Sequence, residues 1–132
     1  MKRKKKQRRR TGISTPPRKV SEMVWEFAGE YIRLGTTLEE KQNYLNAACS
    51  AWNIACNPPE VRKKSLDQYI NSFRLYNKGA SDEDVSDIRS NMEKLVENKL
   101  LLFPTINKKI VDARIIHEAG KDNIVIISAR IE

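Results

Sequence analysis

The chain has 132 residues, of which 39% are apolar and 32% charged, and a net charge of +8. That length fits one domain whose core needs neither disulfides nor a structural metal. No run of 18 apolar residues occurs, which excludes a membrane-crossing helix. The charge is unevenly placed. Residues 1–19 hold ten Lys or Arg and no acid, leaving 15 of the 25 cations against 17 acids in residues 20–132, a body of about −2. A pI near 9.6 spread over a folded face would point to nucleic acid; here that inference reaches only the N-terminal segment.

Residues 2–10 place eight cations among nine positions, interrupted by Gln7. Repulsion at that density opposes compaction, and Gly12, Pro16 and Pro17 punctuate residues 11–19, so residues 1–20 are expected to form a disordered basic tail. The Thr11–Lys19 stretch has no apolar core, which argues against a signal peptide and secretion. Residues 21–132 are expected to form a single globular domain.

Ser21 as N-cap, Glu22 in the first turn, and Val24, Phe27, Tyr31 and Leu34 at helical spacing predict a helix over 22–34, stopped by Gly35. Thr37-Leu38-Glu39-Glu40 matches a capping box and opens a second helix running to about Cys56. Leu38, Leu45, Ala48, Trp52 and Ala55 share one face of it. Pro58 ends it, because the residue before a proline is pushed out of the helical region. Pro59 opens a third helix carrying Val61, Leu66, Tyr69, Ile70, Phe73 and Tyr76, closed by Asn77-Lys78-Gly79. Ser81 and Asp84 cap a fourth, carrying Val85, Ile88, Met92, Leu95 and Leu102 up to Pro104.

The period then changes to two. Val111, Ala113 and Ile115 alternate with Asp112 and Arg114, and Val125, Ile127, Ala129 and Ile131 alternate with Ile126, Ser128 and Arg130. With turn-rich Glu118–Asn123 between them, they predict a hairpin over about 108–131 whose apolar face packs on the helices. The fold class is mainly α (α+β), a four-helix domain followed by a C-terminal β-hairpin. The hairpin's edges could pair with a second copy or another protein.

The motifs of common enzymes are missing: there is no phosphate loop, dinucleotide fingerprint or GxSxG. Cys49 and Cys56, seven apart on one helix, lie about 10 Å apart along it, too far for a disulfide with each other. Reduced packing thiols are the simpler reading. His117, the single histidine, reads as a surface turn residue beside Glu118, and without a His/Cys cluster no zinc site is expected. The acidic run Asp82-Glu83-Asp84 with Asp87 lacks EF-hand spacing and is explained by the positive end of a helix. Trp25 and Trp52 read as core or interface anchors. No catalytic residue, cofactor or metal is expected.

Two features point to function. The first is the tail, whose Lys2, Arg3, Lys4, Lys5, Lys6, Arg8, Arg9 and Arg10 form a candidate nucleic-acid-binding segment; dense cations attract polyanions by releasing condensed counterions. RNA, DNA, a ribosome or an acidic membrane would all fit, and a solubilising tail is the bland alternative. The second lies between Lys41 and Glu60, where no residue is charged. Asn43, Asn46, Ser50, Asn53 and Asn57 recur every three or four residues and so share a helical stripe, a candidate partner or ligand face. The competing reading is a buried polar network, since buried amides must be paired. Together these describe a small non-enzymatic binding protein, cytoplasmic, or nuclear in a eukaryote. Its tail would hold RNA or DNA. The alternative is a protein-interaction adaptor, or a homodimer, using the neutral helix face or the hairpin edge.

Overall fold

A computed structural model describes residues 19–130. Four helices, α1 (Val20–Ile32), α2 (Leu38–Cys56), α3 (Pro59–Tyr76) and α4 (Asp82–Leu102), precede an antiparallel hairpin of β1 (Lys108–Glu118) and β2 (Lys121–Arg130). The expectation of a disordered tail over residues 1–20 falls on residues outside those described up to position 18; at its end it is corrected, since Val20 is the buried first residue of α1. No described helix is long and apolar enough to cross a membrane.

The helix ends show which local signals act. Ser81 and Asp84 form the reciprocal cap, each side chain accepting the other's backbone N–H at 3.0 Å. At α2, Thr37 Oγ1 accepts from the Glu40 N–H at 3.1 Å, but the Glu40 carboxylate reaches past Thr37 to the N–H and hydroxyl of Thr36, at 2.7 and 2.8 Å. Those bonds hold its pKa below the usual carboxylate value. Helix α1 starts earlier than Ser21 predicts. The Lys19 carbonyl already accepts from Glu22 and Met23, because burying Val20 and Met23 extends the packed face by half a turn. Gly35 works differently from a left-handed helix stop. Its φ is not positive, and a Cβ there would lie 2.7 Å from the Lys41 backbone nitrogen, so the glycine lets α1 and α2 meet closely at their corner.

Helix α2 is the central element and packs against α1, α3, α4 and β1. Leu45, Ala48, Ala51, Trp52 and Ala55 are buried along it. Leu38, the first residue of α2, is exposed, contrary to its place on the periodic stripe. Val61, Tyr76 and Leu102, at the ends of α3 and α4, are likewise exposed. Trp52 is fully buried. Its ring meets Phe27 of α1 edge-on at 5.4 Å and tilts against Phe103 at 6.0 Å, while Trp25 is only half-buried, beneath the Arg33 guanidinium.

The hairpin corrects the sequence expectation about which residues face the core. Ile110, Ala113, Ile115 and Ile124 are buried and Ile126 half-buried, whereas Val111, Val125 and Ile127 are exposed at 68%, 51% and 58%. Two causes produce the error. A register shift between Ile110 and Asp112 inserts an extra residue into β1, so the inward set changes parity there. In β2, Ile124-Val125-Ile126-Ile127 is apolar on both faces, and alternation cannot choose between them. The expectations for Ala129 and Ile131 lie outside the described side chains. The turn itself is two residues, Ala119 and Gly120, with φ of 52° and 78°, tighter than the six-residue stretch predicted.

Candidate functional site

The neutral face of α2 lies against the outer edge of β1. In an antiparallel pair, residues alternate between those bonded to the partner strand and those whose N–H and C=O point away. Ile110 points away from β2, and Asn53 meets both of its backbone groups. Asn53 Nδ2 donates to the Ile110 carbonyl at 2.9 Å, and Oδ1 accepts from the Ile110 N–H at 2.7 Å. Three helical turns earlier, Gln42 repeats the pattern. Its Nε2 donates to the Ala113 carbonyl at 3.0 Å and its Oε1 accepts from the Ile115 N–H at 2.9 Å. Trp52 Nε1 donates to the Lys108 carbonyl at 2.7 Å, extending the row.

The geometry explains both the residue types and the bulge. A carboxylate only accepts and an ammonium only donates, but an amide does both, so one Asn or Gln can satisfy a strand residue's donor and acceptor together. The eleven helical steps from Gln42 to Asn53 rise about 16 Å, comparable to the strand length they accompany. Ile110 and Ile115 both point at the helix although they are five apart, a parity that the extra residue at Val111 makes possible.

Of the five stripe residues predicted, Asn53 and Asn57 bond within the fold, Asn57 Nδ2 donating to Ser65 Oγ at 3.0 Å. Asn46 is exposed and accepts from Gln42 at 2.8 Å, which orients the glutamine. Asn43 is exposed and Ser50 half-buried, and neither side chain has a hydrogen-bond partner among the described residues. Asn46, Cys49, Ser50 and Asn53 border a cleft of about 220 Å³ with Ile110–Ala113 opposite. That is smaller than pockets that enclose drug-sized ligands, about 300–1,000 Å³. Lys2, Arg3, Lys4, Lys5, Lys6, Arg8, Arg9 and Arg10 lie outside the described residues.

The thiols here are poor nucleophiles. Burial, with Asp112 nearby, pushes the Cys49 thiol up to about 12, and burial raises Cys56 despite the cations Lys99, Lys109 and Arg62. Cys56 Sγ donates weakly to the Ile106 carbonyl at 3.7 Å. Lys99 joins it there in a way the sequence did not suggest. It is 1% exposed, its Nζ donates to the Ile106 carbonyl at 2.6 Å, and it lies 5.0 Å from the centre of the Trp52 ring. Desolvation lowers its pKa. Its position on the inward stripe with Met92 and Leu95 was the available signal, four residues after Leu95. Gln42 was legible too, since Gln42, Asn46 and Asn53 share a helix face.

His117, itself exposed, is tied into a chain of polar side chains with the half-buried Asp122 and Lys41. Its Nδ1 is 2.8 Å from Asp122 Oδ1, and Lys41 Nζ donates to Asp122 Oδ2 at 2.6 Å. The Lys41 bond, then the His117 bond, hold Asp122 below the usual carboxylate pKa. No group of three His, Cys, Asp or Glu among the described residues is placed to hold a metal. Comparison with protein-family models, curated proteins and solved structures gives no match.

Proposed function

We propose that this is a non-enzymatic binding protein held to a nucleic acid by its basic N-terminal segment, with the folded domain as the passenger that the segment positions. The separation of charge carries the reading: ten cations and no acid in residues 1–19, against a body of about −2. Such a segment binds phosphates without a preformed surface, through counterion release and bidentate arginine hydrogen bonds. Burial raises the pKa of both thiols of the domain, which leaves little thiolate at neutral pH and fits a binding role.

Fluorescence anisotropy of a single-stranded RNA tests it on the full chain. Binding should weaken steeply with salt, with a log–log slope of up to about −6 if the eight cations of residues 2–10 all contact phosphates. Replacing those eight with Gln should remove most of the affinity and flatten the slope. Unchanged binding by that variant would overturn the reading.

The adaptor reading is favoured by one observation only. The amides of α2 that face β1 are engaged there, and the outer edge of β2 is the strand edge still open.

A further inference from the structure

We propose that β2 is a self-association edge, and that two copies of the chain pair their β2 strands antiparallel about a two-fold axis to form a continuous four-stranded sheet. The proposal is independent of the polyanion reading and needs none of the tail residues.

The parity established at β1 fixes the outer edge of β2. Ile115 donates its N–H to Gln42 and so points away from β2; its register partner Ile124, and with it Ile126, must point away from β1. The N–H and C=O of Ile124 and Ile126 have no hydrogen-bond partner among the described residues. On the solvent face beside them stand Val125 and Ile127, exposed at 51% and 58%. A ten-residue edge strand with open backbone groups and exposed β-branched side chains is a pairing template. The other edge of the sheet carries three helix side chains that prevent such pairing; α1 packs against β2, but among the described residues no helix side chain hydrogen-bonds to the outward groups of Ile124 and Ile126.

The strand's own sequence selects a second copy as the occupant. Antiparallel pairing across this edge must match outward-pointing residues with outward-pointing residues, which allows only registers in which the paired numbers sum to an even value. The register centred on Ile126 places Val125 opposite Ile127 of the second copy, and Ile127 opposite its Val125. The exposed apolar side chains then form one unbroken strip across the dimer on the solvent face. The same register sets position 122, acidic in the sequence, opposite position 130, basic in the sequence, at both ends of the pairing, and matches no two like-charged positions. Sliding to the register centred on Val125 would set Ile127 against Asn123 and lose both matches. Such an interface is isologous and closed, so it stops at two copies instead of growing a fibre. Strand pairing alone buries less than a standard interface, so the dimer is a reversible one.

Sedimentation of the full chain, between about 1 μM and about 1 mM, spans the range expected for a contact of this size. The wild type should pass from monomer to dimer. Ile127→Lys, at a solvent-facing position, should raise the dissociation constant at least tenfold with an unchanged melting temperature. Leu75→Lys, on a comparably exposed apolar residue of α3, should leave association unchanged. A second variant reads the register. Val125 and Ile127 form non-hydrogen-bonded cross-dimer pairs, whose Cα spacing of about 4.5 Å suits a disulfide. The Val125→Cys/Ile127→Cys double variant should therefore oxidise to a covalent dimer, and Val125→Cys alone should not. A wild type that stays monomeric throughout, association indifferent to Ile127→Lys, or crosslinking by Val125→Cys alone equal to the double variant would each overturn the proposal.

Discussion

The two outer edges of one hairpin are treated in opposite ways. Along β1, Trp52, Asn53 and Gln42 occupy the outward groups of Lys108, Ile110, Ala113 and Ile115. Along β2, Ile124 and Ile126 present theirs with nothing attached among the described residues, beside exposed Val125 and Ile127. The contrast shows what a charge-free polar stripe on a helix can be for. A row of amides is the side-chain equivalent of another strand, and it lets a helix close a sheet edge that would otherwise be open.

The contrast breaks most readily at Asn53. Asn53→Ala leaves the Ile110 N–H and C=O unpaired in a partly buried setting, and should cost about 2–3 kcal/mol of stability by denaturant unfolding. Gln42→Ala, at the more open end of the row, should cost about 1–2 kcal/mol. If both variants unfold like the wild type, the two edges are energetically equivalent and α2 does not close the edge of β1.

The turn joining the edges offers a change of opposite sign. Ala119 sits at φ 52°, where an L side chain costs about 1–2 kcal/mol, while glycine gives back about 0.5–1 kcal/mol in chain entropy. Ala119→Gly should therefore stabilise the hairpin by about 0.5–1 kcal/mol, seen as a raised denaturant midpoint.

The smallest effect concerns the one side-chain tie between α2 and β2 among the described residues, Lys41 to Asp122, with His117 on the other carboxylate oxygen. The folded pKa of Asp122 lies below its unfolded value, so its contribution is present above the ordinary carboxylate range and is lost as pH falls through the folded pKa. Asp122→Asn should lower stability slightly at neutral pH and flatten that acid limb of the stability–pH curve, the two proteins converging as pH falls through the folded pKa. The pair is half-buried and open to solvent on one side, so screening keeps the difference small.

How much of this was legible depended on the kind of signal involved. Helix order, the Ser81–Asp84 cap and the Pro58–Pro59 break were readable because they are local. The stripe was readable as an anomaly, since a solvated face would carry Lys and Glu, as α3 and α4 do. Its destination was not, because an amide matches a strand edge and a ligand equally well until the strand is in place. Gln42 lies one turn before Asn46 on the same face, but its longer side chain and its place beside Lys41 set it apart from the asparagine repeat in the sequence. The inward face of β2 could not be chosen from Ile124-Val125-Ile126-Ile127, and the bulge at Val111 changed parity in a strand that reads as regular. Lys99 was hidden by its charge; only packing against Trp52 and the Ile106 carbonyl makes that position tolerable.

Amide hydrogen exchange, followed residue by residue at a concentration where the chain is monomeric, tests the contrast between the edges most directly. The Ile110 and Ile115 amides should exchange slowly, near the rate set by global unfolding, and Ile110 should lose its protection in Asn53→Ala. The Ile124 and Ile126 amides should exchange fast when dilute. Fast exchange at Ile110 and Ile115 in the wild type, matching Ile124 and Ile126, would contradict the closing of the β1 edge by α2.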